Sequence, residues 1–302
     1  MLFLHLQVTV VLGKSEWEVT YDPIGETFVG DESSAQYITK RRPLEECFDP
    51  LQLRVWLQRC QAEHRHPCPE GTESGSSFNS LQSQHRFRAI DVVSGEIVAL
   101  SKPTPYVATS YVWGRAMSHY STVTTAAGAE TGERRCNCGL LKRISWDNVP
   151  RTVREAATVV QDVGEQYPWV DALCIDPSDA EDKRAIIGEM SAIYENAFFT
   201  IIAAGGEDAE AGLHRLESRP QTVERPFSFT SGGVYLGLSP SRQPLDTILQ
   251  RSKWISRAWT YPERLLSPRR VYFTVNDVFF TCGDMHCSEA YALHKCLSTP
   301  SG

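Results

Sequence analysis

Residues 149–206 read VPRTVREAATVVQDVGEQYPWVDALCIDPSDAEDKRAIIGEMSAIYENAFFTIIAAGG. Pro150 presets the backbone for a helix start. Val153, Ala156, Ala157, Val160 and Val163 then recur at spacings of three and four, which predicts an amphipathic helix. Trp169 to Ile175 reads as a buried strand with Asp171 inside it. A second helix is predicted after Asp179, with Ile186, Ile187, Met190, Ile193, Tyr194 and Ala197 on one face. Phe198 to Ala204 is a continuous apolar run closed by Gly205 and Gly206, as expected of a strand buried on both faces. Helices alternating with such strands build a mainly parallel sheet covered on both sides, an α/β fold.

Upstream, Tyr106 to Trp113 is rich in β-branched and aromatic residues and reads as a further strand. Phe87 to Val93 and Glu96 to Leu100 form a predicted hairpin over Ser94-Gly95. Residues 67–84 are rich in Pro, Gly, Ser, Asn and Gln and read as a flexible linker. Before it, Asp49 and Pro50 open a predicted helix whose apolar face carries Leu53, Trp56, Leu57, Cys60 and His64. Trp17 to Tyr21 reads as a strand. Downstream, residues 213–250 are mixed, with hairpin-like runs such as Gly233 to Leu238. Trp254 to Leu266 is partly helical, limited by Pro262. Arg270 to Thr274 and Val278 to Cys282 pair over Asn276-Asp277. The expected division is therefore 1–85 as an N-terminal helical segment and linker, 86–290 as the main domain, and 291–302 as a tail that reads like a cut end.

The 302 residues carry 30 Lys and Arg against 37 Asp and Glu, a net charge of -7. An acidic balance argues against a dedicated nucleic-acid binder, which carries a basic face. The apolar run Leu2 to Leu12 is interrupted by His5 and Gln7 and has no basic region before it, so it is not read as a secretory signal. No apolar stretch approaches the length of a membrane span. The nine cysteines are odd in number and match no compact disulfide framework. They are read as mostly reduced thiols, and the expected location is cytoplasmic.

Three blocks carry a family resemblance. The first is Tyr106-Val-Ala-Thr-Ser-Tyr-Val-Trp-Gly114. The second runs from Val149-Pro150 through Trp169-Val-Asp-Ala-Leu-Cys-Ile-Asp176 to Met190-Ser-Ala-Ile-Tyr194 and Ala197. The third is Trp254, then Arg257-Ala-Trp-Thr-Tyr-Pro-Glu-Arg-Leu-Leu-Ser267, Arg269 and Phe273. In order and spacing they resemble the fungal heterokaryon-incompatibility (HET) domain over roughly residues 86–285. Three positions depart from that pattern: Pro262 stands where the family has Gln, Pro177 lies where a Gln is common, and Ala258 replaces the usual Gly.

The resemblance implies a role in fungal non-self recognition and regulated cell death. HET domains are in turn distantly similar to Toll/interleukin-1 receptor (TIR) domains, which implies a TIR-like (flavodoxin-like) parallel sheet with flanking helices, here with a β-rich insertion and C-terminal region. TIR domains that cleave NAD carry Glu four residues after Trp, and Trp259 and Glu263 have that spacing. Two mechanisms stay open on this basis. One is an NAD glycohydrolase, with NAD as substrate and no bound cofactor. The other is a non-enzymatic module that signals by self-association or by contact with other cell-death proteins.

Glu263 is the catalytic candidate, because breaking the nicotinamide–ribose bond builds positive charge that a carboxylate stabilises. Its structural alternative is an ion pair with Arg257 or Arg264. Ser110, Tyr111, Trp113 and Gly114 end the first strand of the domain, and Asp176 ends the strand carrying Asp171. In open parallel sheets ligands bind outside the carboxyl ends of the strands. Ser110 could bond a phosphate or ribose, or simply shape a turn. Trp113 and Trp259 could stack on a base or fill the core. Asp171 needs a partner, either Arg257 or backbone N–H groups, whether or not it meets a ligand. No nucleophile elbow, phosphate-binding Gly-Lys loop or dinucleotide fingerprint occurs. No metal site is assigned. Cys60, His64 and Cys68 with His66 have ligand chemistry, yet Cys60 and His64 share the apolar stripe of Leu53 and Trp56, which points to packing.

Overall fold

The computed structural model describes residues 47–64, 76–114, 143–176, 179–217, 244–257 and 260–289, together with backbone strands within 6–30, 135–142, 227–240 and at 297–298. Elements are numbered within the main domain and its leading helices. Helix α1 (Pro50–Glu63) starts where expected: the Asp49 carboxylate accepts from the Leu51 N–H at 2.9 Å, with Pro50 in the first position. Its buried face is Leu53, Trp56, Leu57 and Cys60. Within the predicted linker, residues 76–83 instead form helix α2 (Ser76–Ser83). Phe78 and Leu81 supply the reason, since both are buried and Phe78 packs edge-on against Phe87 at 5.2 Å.

Strands β1 (Arg88–Asp91) and β2 (Glu96–Ala99) form the predicted hairpin, with Gly95 at φ 70° in the turn. Then follow β3 (Val107–Ser110), α3 (Arg151–Asp162), β4 (Pro168–Trp169), α4 (Asp171–Cys174), α5 (Ala180–Gly188), α6 (Met190–Glu195) and β5 (Phe199–Ile202). After the insertion come α7 (Leu245–Arg251), a 3-10 turn Trp254–Ser256, α8 (Thr260–Leu265), β6 (Arg269–Phe273), β7 (Val278–Cys282) and β8 (Met285–Ser288). Helix α3 buries Val153, Ala156, Ala157 and Val160 as its spacing predicted. Gly164 at φ 90° ends it, with Gly164 N–H donating to Gln161 O and Glu165 N–H to Val160 O, the double closure of a Schellman motif.

Two predicted elements are divided. Trp169 to Ile175 is a short strand followed by one helical turn, so Asp171 opens α4 and is not inside a strand. The turn forms because the Leu173 and Cys174 N–H groups both reach the Val170 carbonyl while Asp171 accepts from Ala172 N–H at 2.7 Å. The single helix after Asp179 breaks at Glu189, whose ψ of 11° leaves helical geometry. Its expected apolar face breaks with it: Ile186, Met190, Ile193 and Tyr194 are buried, whereas Ile187 is exposed.

Among the described residues the main sheet has seven strands, in the order β4-β3-β5-β6-β7-β8 with Leu297–Ser298 outermost. The first four pair in parallel, in the spatial order second-first-third-fourth along the chain. The rest are antiparallel hairpins. The sheet is therefore mixed rather than wholly parallel. Alternation along each strand divides its two faces. Phe273 and Phe280 meet Phe48 and Trp56 of the α1 side. Ser110, Thr200 and Tyr272 face the other side, where they meet Glu263, Ser267 and Trp254. One large core includes α1, α2, α3 and the sheet, and a smaller one gathers Val112, Ile202, Leu245, Leu249, Trp254, Tyr272 and Phe279.

The insertion contains the expected hairpin, Phe227–Ser231 with Val234–Pro240, and Gly25–Gly30 adds to its edge. The predicted strand around Trp17 is Ser15–Tyr21, paired with Leu6–Leu12. Of the described cysteines, Cys47, Cys60, Cys174 and Cys282 are unoxidised, whereas Cys287 is disulfide-bonded. Among the described residues no helix is long and apolar enough to cross a membrane.

Met190, buried at the start of α6, tests the packing. Met190→Asp is expected to cost about 3 kcal/mol or more by burying an unpaired charge. Urea unfolding checks this, and a variant as stable as the parent would contradict the burial of α6.

Candidate functional site

The parallel strands reverse their direction of addition at β3, which lies between β4 and β5. In such sheets the crevice outside the carboxyl ends at the reversal is the preferred ligand position. Ser110 is the last residue of β3 and lies at that point.

Ser110 is fully buried and links two side chains. The Trp254 indole N–H donates to Ser110 Oγ at 2.7 Å, and the Ser110 hydroxyl donates to Glu263 Oε2. The other carboxylate oxygen, Oε1, accepts from Tyr194 OH and from Arg257 Nη2, each at 3.4 Å. Glu263 is 1% exposed. Burial pushes its carboxyl above the usual range, opposed by Arg257, Ser110 and Tyr194. Helix α8 presents Glu263 despite Pro262, because Pro262 is the third residue of the helix, where its missing N–H would have no intrahelical partner.

Arg257 also acts on Asp171. Burial pushes the Asp171 carboxyl up to about 6, against the Ala172 N–H and the Arg257 charge, with Glu263 adding to the rise. The nearby Trp113 indole also works against the rise. Trp113 is 42% exposed, so it lies at the rim and not in the core. Tyr111 is buried beside the same charges, and burial pushes its hydroxyl well up. Among the described residues, Arg257 Nη1 is buried and has no hydrogen-bond partner. A buried donor left unpaired is costly, so it is a group that an oxygen of a bound molecule would satisfy.

Ser110, Tyr111, Trp113, Asp171, Arg257 and Glu263 thus converge on one end of the sheet. Asp176 is tied by its backbone to another pair: its N–H donates to Asp182, the carboxylate that pairs with Arg88. Gly114 shapes the loop beyond β3. Its φ is 65°, and a Cβ there would come within 2.5 Å of the Asp208 Cβ. Trp259 and Pro177 lie outside the described residues. Arg264, the alternative partner for Glu263, pairs with Asp246 instead.

Two members of the network were not expected from sequence. Tyr194 reads as part of an apolar helix face, and Trp254 as the start of a partly helical stretch in the third motif block. The available signal was the polar handle on each ring, since a buried Tyr hydroxyl or Trp N–H usually finds a partner.

Two outcomes follow from this geometry. The folded-state pKa of Asp171, about 6, is above its ordinary 3.8. Its contribution is therefore full below the ordinary value and is lost as pH rises through the folded value. Asp171→Asn should gain stability relative to the parent at about pH 8 and much less at about pH 4. Urea unfolding at both pH values checks this, and a pH-independent difference would contradict it. Gly114→Ala should destabilise by about 1–3 kcal/mol, from the left-handed backbone and the Asp208 clash together. Thermal unfolding measures the loss.

The family model described as heterokaryon incompatibility protein (HET) matches residues 106–263. No curated protein and no solved structure matches the chain significantly. The family match covers more than half of the chain and runs from the strand that ends in Ser110 to Glu263, the two residues joined at the centre of the site. The chain therefore belongs to the heterokaryon incompatibility (HET) protein family.

Proposed function

We propose that this protein acts in fungal non-self recognition and regulated cell death as a TIR-like NAD glycohydrolase, with Glu263 as its catalytic carboxylate. The observation that carries this reading is the bonded pair Ser110–Glu263 at the carboxyl end of β3, where the strand order reverses. The order second-first-third-fourth of the parallel strands is that of flavodoxin-like sheets, which supports the TIR-like reading.

The reaction is NAD⁺ + H₂O → ADP-ribose + nicotinamide + H⁺. Cleavage of the glycosidic bond leaves an oxocarbenium-like ribose, and nicotinamide departs neutral because it carries the formal charge beforehand. In this mechanism ionised Glu263 opposes the charge on the ribose. Arg257 favours that ionised form, although burial opposes it. Arg257 Nη1 and the exposed Trp113 then offer a donor and a stacking face for the substrate.

A non-enzymatic reading also has an observation behind it. Glu263 is 1% exposed and both of its oxygens accept hydrogen bonds, as in a latch that seats α8 on the sheet. In that case the protein signals by self-association or by docking other cell-death proteins.

NAD consumption by concentrated protein separates the two. Glu263→Gln keeps the shape and some hydrogen bonds, and should lower hydrolysis at least about 100-fold. Equal inactivity of both proteins, with cell killing retained by the variant, would reject the hydrolase reading in favour of the interaction module.

A further inference from the structure

Cys60 and His64 lie one turn apart at the end of α1, and Cys282 is the last residue of β7. The fold brings these three donors within 4.8 Å of one another, across more than 200 residues of sequence. Cys282 Sγ lies 3.4 Å from His64 Nδ1, and Cys60 Sγ sits within 4.8 Å of both. Both cysteines are buried, whereas His64 is partly exposed. We propose that Cys60, His64 and Cys282 form a zinc site that clamps α1 to the main sheet.

The geometry and chemistry agree with that ion. With Zn–S near 2.3 Å and Zn–N near 2.0–2.1 Å, a tetrahedral site has ligand–ligand edges of about 3.5–3.8 Å. The 3.4 Å contact between Cys282 and His64 is already close to such an edge. Two thiolates and an imidazole suit a borderline-soft cation and do not suit magnesium or calcium. An outer donor is in place as well. Arg269 Nε–H points at Cys60 Sγ at 3.3 Å, and the guanidinium is anchored by Nη1 donating to the Phe198 carbonyl at 3.1 Å. Such N–H donors to a ligand sulfur orient it and offset its charge.

Binding replaces protons: two thiols and Zn²⁺ give a zinc dithiolate and two H⁺, with no change of oxidation state. His64 supplies the neutral nitrogen, and water takes the fourth position of a three-ligand set. The spacing of Cys60 and His64 alone pointed to packing; the burial of Cys60 beside Leu53 and Trp56 agrees with that, whereas His64 is only partly covered. The third ligand arrives from β7, so the stripe serves packing at Trp56 and ligation at its end.

The test uses the whole chain, stripped of metal under reducing conditions and then given Zn²⁺ or Co²⁺ alone. The expected result is one equivalent of tightly held zinc and a higher melting temperature. With Co²⁺, a thiolate-to-cobalt charge-transfer band and tetrahedral d–d bands are expected. Cys60→Ser and Cys282→Ser should each lose the band and the equivalent, whereas a Cys136→Ser, Cys138→Ser double variant should keep both. Should a cysteine variant fail to fold, the cobalt spectrum of the parent still decides the matter. No thiolate band in the folded parent, or zinc retained undiminished by the folded Cys60→Ser, Cys282→Ser double variant, would overturn the site. So would a native Cys60–Cys282 disulfide found by mass spectrometry of the freshly isolated protein.

Discussion

A carboxylate removed from water costs several kcal/mol unless donors surround it, and Glu263 is almost wholly buried. Its donors come from three other places in the chain: Ser110 from the end of β3, Tyr194 from α6 and Arg257 from the segment before α8. Trp254 holds Ser110 from the far side. Satisfying this one charge therefore positions α6, α8 and the 3-10 turn over the carboxyl end of the sheet. Arg257 extends the same network to Asp171, whose carboxyl is raised by burial and by the neighbouring Glu263.

This arrangement explains why an end of the sheet so rich in titratable groups can also be stable. Each charge has a partner, but the partners are few and shared. Arg257 serves two carboxylates and retains one buried N–H without a partner among the described residues. Removing Glu263 or Ser110 would leave its buried partners unsatisfied, which is more costly than the loss of one hydrogen bond. The opposite face of the sheet has a different basis. There Phe48, Trp56, Phe273 and Phe280 pack as rings against one another, and Cys60, His64 and Cys282 close the end of α1.

Much of the fold was legible in local sequence. The stripe of α3, the Asp49-Pro50 helix start, the hairpin over Gly95 and the apolar strand at Phe199 all follow from periodicity, capping and turn chemistry. The misreadings share a cause. Asp171 could not be placed in a helical turn from an apolar run alone, because the Val170 carbonyl and the Ala172 N–H decided that conformation. The break at Glu189 is likewise invisible in a stripe that continues across it. Residues 76–83 look like linker by composition, yet Phe78 and Leu81 find a core to enter.

By itself the sequence determined the alternation of helices and strands, the identity of the motif blocks and the candidates Ser110, Asp171, Arg257 and Glu263. Those are properties of spacing and residue type, which local backbone geometry and amphipathicity transmit directly. Only the tertiary structure decided which candidates meet. Ser110 and Glu263 are 153 positions apart, and Cys282 joins Cys60 and His64 from 218 positions beyond the latter. Strand order and burial bring such groups together, because a buried polar group must find its partner wherever the chain has placed one.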